Sequence, residues 1–373
     1  MVPKEILKKL YNYANTLINQ QKSNGAWYQK KPSLQSVVLT CQISLLLVLF
    51  FGKKIKKSLE KASSWLTSTK VVTNEYSYWR ALPLIEIGCN DTEIEDALNH
   101  VKQKIVSGVL HHENSPIKEF YCSCVYKANK SCKVANNITK VANNITRELK
   151  DIVHNNDIIR KLPSNKISHI LSYLYATGNI EEKEVSMLLD IIISKSEISD
   201  GMRKWTSLVS TSYVVLNLIE ILKVCQCQKL QNKINKLVEE AGRYLIKRWA
   251  DDNFKSPPTA GGDFDDTDFS KIVSARALVN IALYNNPRCF ESIITDRSDD
   301  LKFLNTLLVM ILLGVLLISL NKYIIKSLSY FNFTVKASFW KTIGRLADLV
   351  GISPIIYSVV LFVKEMVINR VLK

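Results

Sequence analysis

The stretch QKSNGAW, Gln21–Trp27, decides the fold of this chain, because it separates two helical patterns of different kinds. Before it, apolar residues recur at three- to four-residue spacing from Ile6 to Leu17, which predicts a helix with one apolar face. After it, Val37–Phe51 carries no charge at all. A helix without a polar face must be surrounded by other helices. The stretch therefore joins a predicted outer helix to a predicted inner one.

The same alternation recurs along the first 300 residues. Leu208–Leu222 has Glu220 as its only charge, and an amphipathic pattern, Leu230–Ala250, follows it. Phe269–Leu283 has only Lys271 and Arg276 as charges. Alternating strand patterns are almost absent, and 12 Gly and 9 Pro are few for a turn-rich β fold. We expect an all-α fold, a single α/α toroid of about twelve helices with ~25 residues for each helix and its loop.

A second region, 301–373, is predicted to be a basic membrane-anchoring tail. Residues 303–320, FLNTLLVMILLGVLLISL, contain no charge and would span ~27 Å as a helix, close to the thickness of a bilayer core. A second uncharged run, 349–363, is shorter and contains Pro354, so it fits a second span, a re-entrant segment or an interfacial helix. The domains are therefore expected at 1–300 and 301–373.

The charge of the chain predicts its surroundings. Its formal net charge is +16, and the tail holds nine Lys/Arg against Asp348 and Glu365. Such a tail favours anionic lipid headgroups, and no nucleic-acid motif accompanies the scattered basic residues. The N-terminus shows no apolar secretory core, so the eight cysteines are expected as free thiols. We expect a membrane-associated protein with a cytoplasmic main domain.

An acidic cluster, DFDDTD at 263–268, is the strongest candidate for chemistry. Four carboxylates in six positions repel one another, and this repulsion favours a raised pKa for at least one of them. The preceding segment, SPPTAGG at 256–262, breaks secondary structure, and the apolar run that follows predicts a helix. The acids are therefore expected at or just before a helix start, where a solvated N-capping cluster remains the plain structural alternative.

Two motifs resemble those of squalene–hopene cyclases and related class II terpene cyclases, which share the α/α toroid with prenyltransferases. Gln21–Trp27 resembles the Gln-x-x-x-Gly-x-Trp repeat, whose Gln and Trp tie neighbouring outer helices together in that family. Glu197–Gly201 is a degenerate second copy, with Trp205 two residues later than the pattern requires. Residues 263–267 resemble the family's Asp-x-Asp-Asp motif followed by Thr.

The resemblance implies roles for three acids. Asp265 would be the general acid that protonates an alkene or epoxide, and Asp263 and Asp266 would orient it or raise its pKa. The expected substrate is a hydrophobic isoprenoid or squalene-like molecule, and the reaction an acid-initiated cyclisation with no cofactor, or with Mg²⁺ if the substrate is a diphosphate. The family places its active site between two helical domains, whereas one toroid fits this chain. A homodimer or a partner chain would supply the second domain.

Other interpretations of the same residues are weaker or remain open. Residues 263–267 also match the Asp-x-Asp-x-Thr motif of haloacid-dehalogenase-type phosphatases. That motif requires a β-strand directly before it, and Pro and Gly residues occupy that position here. The Asp-Asp-x-x-Asp spacing of class I synthases is broken here. His111, His112, Cys122, Cys124 and Cys132 have the types of zinc ligands without a second tight pair. The alternative function is a non-catalytic, membrane-tethered toroid that binds a lipid, peptide or protein partner.

Overall fold

The computed structural model describes residues 2–27, 34–68, 80–106, 117–131, 134–254, 266–291 and 293. Its contacts divide the chain into two units, Met1–Phe290 and Glu291–Lys373, and the first contains nearly all of the described residues. The two predicted membrane segments, 303–320 and 349–363, lie outside the described residues, as does most of the basic tail. Among the helices that are described, none has both the length and the apolar composition needed to cross a membrane.

The described part of the chain is almost entirely helical, which confirms the predicted all-α class. Its helices are α1 (Lys4–Gln20), α2 (Leu34–Phe51), α3 (Lys56–Ser68), α4 (Ala81–Ile87), α5 (Asp91–Val106), α6 (Ile117–Ser131), α7 (Asn136–His154), α8 (Asn156–Lys161), α9 (Ser164–Ala176), α10 (Glu182–Ser194), α11 (Leu208–Leu222), α12 (Gln228–Ala250) and α13 (Asp266–Asn285). A 3₁₀ turn, Gly52–Ile55, links α2 to α3. The strands β1 (Glu197–Ser199) and β2 (Met202–Lys204) form an antiparallel hairpin.

Six helices contact one another in a closed cycle. α2 packs against α4, α4 against α6, α6 against α9, α9 against α11, α11 against α13, and α13 against α2. Apolar composition explains why α2 and α11 belong to the cycle, since both bury residues around most of their circumference. The polar residues that α2 does bury, such as Thr40, Gln42 and Ser44, are small or uncharged and are less costly to enclose than charges.

The remaining long helices are amphipathic and lie against the cycle. α1 contacts α2, α12 and α13, and it buries a stripe that includes Leu10 and Ala14. The tandem repeat KVANNIT occupies 133–139 and 140–146, and α7 includes it from Asn136 onward. The seven-residue period places Ile138 and Ile145 on one face of α7, and both are buried. The duplication therefore preserves the apolar stripe of an outer helix.

The loop Gln21–Trp27 binds three neighbouring helices through specific hydrogen bonds. Gln21 Nε2 donates to the Ser58 carbonyl oxygen of α3 at 2.9 Å, and Ser58 Oγ donates to Gln21 Oε1 at 2.6 Å. The Trp27 indole N–H donates to the Leu17 carbonyl of α1 at 2.6 Å, and its backbone N–H donates to Thr40 Oγ1 of α2 at 3.1 Å. Gln21 therefore links the C-terminal end of α1 to α3.

The degenerate second copy repeats part of this geometry. Trp205 is buried, its indole N–H donates to the Ile192 carbonyl of α10 at 2.8 Å, and its backbone N–H donates to Thr211 Oγ1 of α11 at 3.0 Å. The β-hairpin accommodates the two extra residues before Trp205. Here Arg203, and not the residue that matches Gln21, binds the helix after the inner one: its Nε donates to Glu240 Oε2 of α12 at 2.8 Å. Glu197, at the position matching Gln21, instead forms an exposed ion pair with Lys204.

Gly25 is required by the first loop for two separate reasons. Its φ of +95° is one that L-residues rarely adopt, and a Cβ at this position would lie 2.2 Å from the Lys61 carbonyl oxygen of α3. Gly178 has a similar φ of +67°, but a Cβ there would have no neighbour within 4 Å. Comparing Gly25 with Gly178 therefore separates the free-energy cost of the positive φ from the cost of the steric clash with α3.

We expect Gly25→Ala to lower the free energy of unfolding by more than ~3 kcal/mol, because α3 must move away in addition to the backbone strain. Gly178→Ala should cost ~1–2 kcal/mol, the cost of the left-handed conformation alone. Chemical denaturation of both variants measures the difference. Equal losses would show that Gly25 is not in close contact with α3.

Candidate functional site: the central cavity

The cycle of six helices surrounds a partly open cavity of about 470 Å³. Its apolar wall consists of Leu45, Val48, Leu49, Leu82, Phe120, Tyr126, Tyr173, Ala176, Tyr213, Leu216 and Val224. Its ionisable or amide-bearing lining side chains are Glu86, Lys127, Lys130, His169, Asn217, Glu220, Lys223, Arg276 and Asn280. Among the described residues, therefore, all six helices of the cycle contribute to a mainly apolar cavity with a minority of charged groups.

The cavity lies toward the C-terminal ends of several lining helices. The lining residues of α2 are Leu45, Val48 and Leu49, all from its second half, and those of α9 begin at His169. Arg276 stands ten residues after the start of α13, which corresponds to ~15 Å along the helix axis. The cavity is thus associated with the middle of α13, whereas the acidic cluster lies at its start.

Two ion pairs hold the carboxylates that line the cavity. Lys127 Nζ lies 2.7 Å from Glu86, and Lys223 Nζ lies 2.6 Å from Glu220. Burial would raise the pKa of Glu220, but the positive charges of Lys127 and Lys223 outweigh it and lower that pKa. Burial would likewise lower the pKa of Lys127, but Glu86 and Glu220 outweigh it and raise that pKa. Glu220 is therefore an anion at neutral pH and not a proton donor.

Arg276 lines the cavity without a carboxylate partner in the described part of the chain. One of its terminal nitrogens donates to Gln42 Oε1, and Gln42 Nε2 in turn donates to the Tyr213 hydroxyl at 3.4 Å. The buried Nε of Arg276 has no hydrogen-bond partner within the described part of the chain, and no carboxylate there lies within 4.0 Å of the guanidinium. Burial lowers the pKa of Arg276, while Tyr213 and the carboxylates act in the opposite direction. A guanidinium nevertheless stays protonated in proteins.

His169 lies beside this guanidinium and is uncharged at neutral pH. Burial, and then the positive charge of Arg276, lower the pKa of His169 to about 4. Its ring lies 5.7 Å from the Tyr213 ring, centroid to centroid. The neutral imidazole can accept or donate a hydrogen bond in the cavity without adding a charge.

The predicted catalytic acids are not in the described part of the cavity. Asp263 and Asp265 lie outside the described residues, and Asp266 is known only as the first residue of α13. The last acid of the cluster, Asp268, acts on the outer layer instead: burial, and then the charge of Asp268, raise the pKa of Tyr13 on α1. Whether the first three acids face a cavity therefore stays a prediction.

The first turns of α13 also contact the outer layer through Lys271. Its ammonium lies 4.7 Å from the Phe254 ring centroid, 5.2 Å from that of Tyr13 and 5.7 Å from that of Trp249. Its Nζ is also 3.5 Å from Asp252. The Trp249 indole N–H donates to Ser274 Oγ at 3.0 Å. These contacts bind the face of α13 opposite Arg276 to α12 and α1.

Two of the five residues with the types of zinc ligands can be placed. Cys122 and Cys124 lie on α6 and are buried, and burial raises the pKa of the Cys122 thiol to about 12. Such thiols are protonated and poor metal ligands. No metal-binding group of three or more His, Cys, Asp or Glu is present among the described residues, while His111, His112 and Cys132 lie outside them.

The cavity residues were missed as a site by sequence reasoning, although a signal for them exists. Glu220 is the only charge of α11, and Arg276 is one of two in the apolar run of α13. Gln42 is one of only two amide side chains in the uncharged α2. An isolated polar group in a helix that is buried on all sides must face another polar group or a cavity. This criterion would have selected all three residues.

Comparison of the chain with protein-family models, with curated proteins and with solved structures gave no match. The functional argument therefore depends on the residues and their geometry.

The low pKa of His169 predicts a specific pH dependence of stability. Because the folded-state pKa, about 4, is below the ordinary value of 6.5, the neutral form stabilises the fold above pH 6.5. This contribution, up to roughly 3 kcal/mol, is lost as the pH falls from about 6.5 to 4. His169→Gln should show a smaller loss of unfolding free energy than the wild type over this range, measured by urea denaturation. Identical slopes for the wild type and His169→Gln would contradict the assignment.

Proposed function

We propose that the cycle of six helices and the amphipathic helices around it form a single α/α toroid. The alternation along the chain supports this proposal: α1, α3, α5, α7, α10 and α12 each precede a member of the cycle or follow one. The hydrogen bonds of Trp27 and Trp205 support it further, since each joins a preceding outer helix to the inner helix that follows. The resemblance to the terpene cyclase and prenyltransferase superfamily is part of this proposal.

The function we propose is the binding of a largely apolar ligand in the central cavity. The observation that carries this proposal is the cavity itself, whose volume of about 470 Å³ lies within the range of small-molecule sites and whose wall is mainly apolar. A lipid or isoprenoid fits such a space, whereas a folded protein partner does not. Attachment of the basic tail to a membrane, as the sequence predicts, would place the toroid close to a source of such ligands.

A cavity-filling substitution tests this function. We expect the full chain in lipid nanodiscs to bind farnesol with one site per protein, measured by isothermal titration calorimetry. Leu216 lines the cavity, so Leu216→Trp should weaken binding tenfold or more by occupying the space. Ile198→Trp introduces the same side chain at a position on the hairpin that is 55% exposed, and it should bind as the wild type does. If Leu216→Trp keeps the wild-type affinity, the ligand does not bind in this cavity.

Acid-initiated cyclisation of an isoprenoid is the second candidate function. The observation that favours it is the position of the acidic cluster, which leads directly into α13, a helix of the cavity wall. In this proposal Asp265 protonates the substrate, and Asp263 and Asp266 raise its pKa or orient it. Protonation of an alkene needs a neutral, desolvated carboxylic acid, and the low pKa of Glu220 makes that residue unsuitable. Mg²⁺ would be required only if the substrate is a diphosphate, and a second chain would supply the missing domain.

The cyclisation proposal has a direct chemical test. The full chain, incubated with farnesyl diphosphate, geranylgeranyl diphosphate or squalene, should form cyclic products detectable by mass spectrometry. Asp265→Asn should lower the rate of product formation by ~10²–10⁴, the usual contribution of a general acid. Asp200→Asn, on the exposed hairpin turn, should retain the wild-type rate. Absence of cyclic products from the wild type, or full activity of Asp265→Asn, would refute this candidate and leave ligand binding as the function.

A further inference from the structure

We propose that Arg276 is an anion-binding subsite, so that the cavity takes a ligand with an apolar chain and a carboxylate or phosphate group. This inference rests on the proposed ligand-binding function and adds the chemistry of the ligand. It starts from the incomplete set of partners around a guanidinium in the cavity wall. A guanidinium has five N–H donors, and burying a cation without an anionic partner is costly.

The partners of Arg276 differ from those of Lys127 and Lys223. Lys127 and Lys223 each lie within 2.7 Å of a carboxylate oxygen. Arg276 instead donates to the neutral amide oxygen of Gln42, and its buried Nε has no partner among the described residues. The two carboxylates of the cavity, Glu86 and Glu220, are already engaged by the lysines. Arg276 lines the cavity and keeps part of its surface exposed, so its guanidinium N–H groups other than the buried Nε–H and the one bound to Gln42 are available to a ligand.

The orientation of the guanidinium is set by a short chain of hydrogen bonds. The Tyr213 hydroxyl accepts a hydrogen bond from Gln42 Nε2, so the Gln42 amide presents its oxygen to Arg276. A guanidinium held in one orientation can offer two parallel N–H groups to a planar or tetrahedral oxyanion.

The charge balance of the cavity also suits an anion. Its described lining contains four cations, Lys127, Lys130, Lys223 and Arg276, against two carboxylates. Because Glu86 and Glu220 are paired with lysines, they repel an incoming anion only weakly. The field inside the cavity is therefore positive, and a low-dielectric wall strengthens the attraction.

The apolar part of the cavity wall indicates that the rest of the ligand is apolar. Leu45, Leu49, Phe120 and Leu216 line the same cavity and offer no hydrogen-bonding side chain. Burying an alkyl chain against them gains ~25 cal/mol for each Å² of apolar surface removed from water. A free inorganic ion would leave this surface without a partner. The occupant we infer is an amphiphile whose head group binds Arg276.

The test compares three ligands that share one chain and differ in the head group: decanol, decanoate and decyl phosphate. Isothermal titration calorimetry with the full chain in lipid nanodiscs should show at least one anion binding tenfold or more tightly than decanol. Tighter binding of decanoate would identify a carboxylate ligand, and tighter binding of decyl phosphate a phosphate. Arg276→Met, which has a similar length without the charge, should remove the difference between the anions and decanol. Arg243→Met, on the exposed surface of α12, should preserve it.

The outcomes separate this inference from the function on which it depends. If decanol binds as tightly as both anions to the wild type, the anion subsite is refuted while the cavity remains a ligand site. If none of the three binds, the proposed function fails as well. Should Arg276→Met not fold, Arg276→Lys retains the charge with a different donor geometry, and it should keep a preference for anions that is weaker than that of the wild type; an unchanged preference would exclude the guanidinium as the subsite.

Discussion

The contact between α2 and α13 is the constraint on which the rest of the structure depends, because it closes the cycle of helices. It joins parts of the chain more than 200 residues apart, and Gln42 and Arg276 meet there. Closing so long a loop costs conformational entropy, although the cost grows only slowly with length. The apolar surfaces of the two helices offset it. Without this contact the cavity would be an open groove, and Arg276 would be solvated.

The contact also holds a guanidinium that has no carboxylate partner among the described residues. A leucine at position 276 would pack against the neighbouring helices with no electrostatic cost, so the arginine is not explained by the closure of the cycle. Glu86 and Glu220 lie close enough to act on the pKa of Arg276 but are engaged by lysines. A charge that the fold does not need is a reason to look for function. The cavity and the guanidinium of Arg276 are therefore two separate observations that favour the proposed ligand.

Local patterns were sufficient to predict the fold class and the position of several elements. The three- to four-residue spacing predicted amphipathic helices, and uncharged runs predicted the enclosed ones, because both patterns report how much of a helix faces water. The Gln21–Trp27 loop was recognisable because its glutamine, glycine and tryptophan occur at a fixed spacing within seven residues. The hairpin before Trp205 was not predicted, since its three-residue strands are too short to show a periodic signal.

The sequence by itself determined that this is a helical chain with enclosed and exposed helices, and it identified an acidic cluster before one of the enclosed ones. Only the tertiary structure decided which helices are neighbours, and therefore which side chains share a cavity. The sequence does not indicate that Gln42 and Arg276 form a hydrogen bond, because a contact between two distant helices brings them together. The pKa of His169 has the same origin, since burial and a charge from α13 lower it. The proposed ligand site is thus a property of the closed cycle, whose members the chain brings together only when it folds.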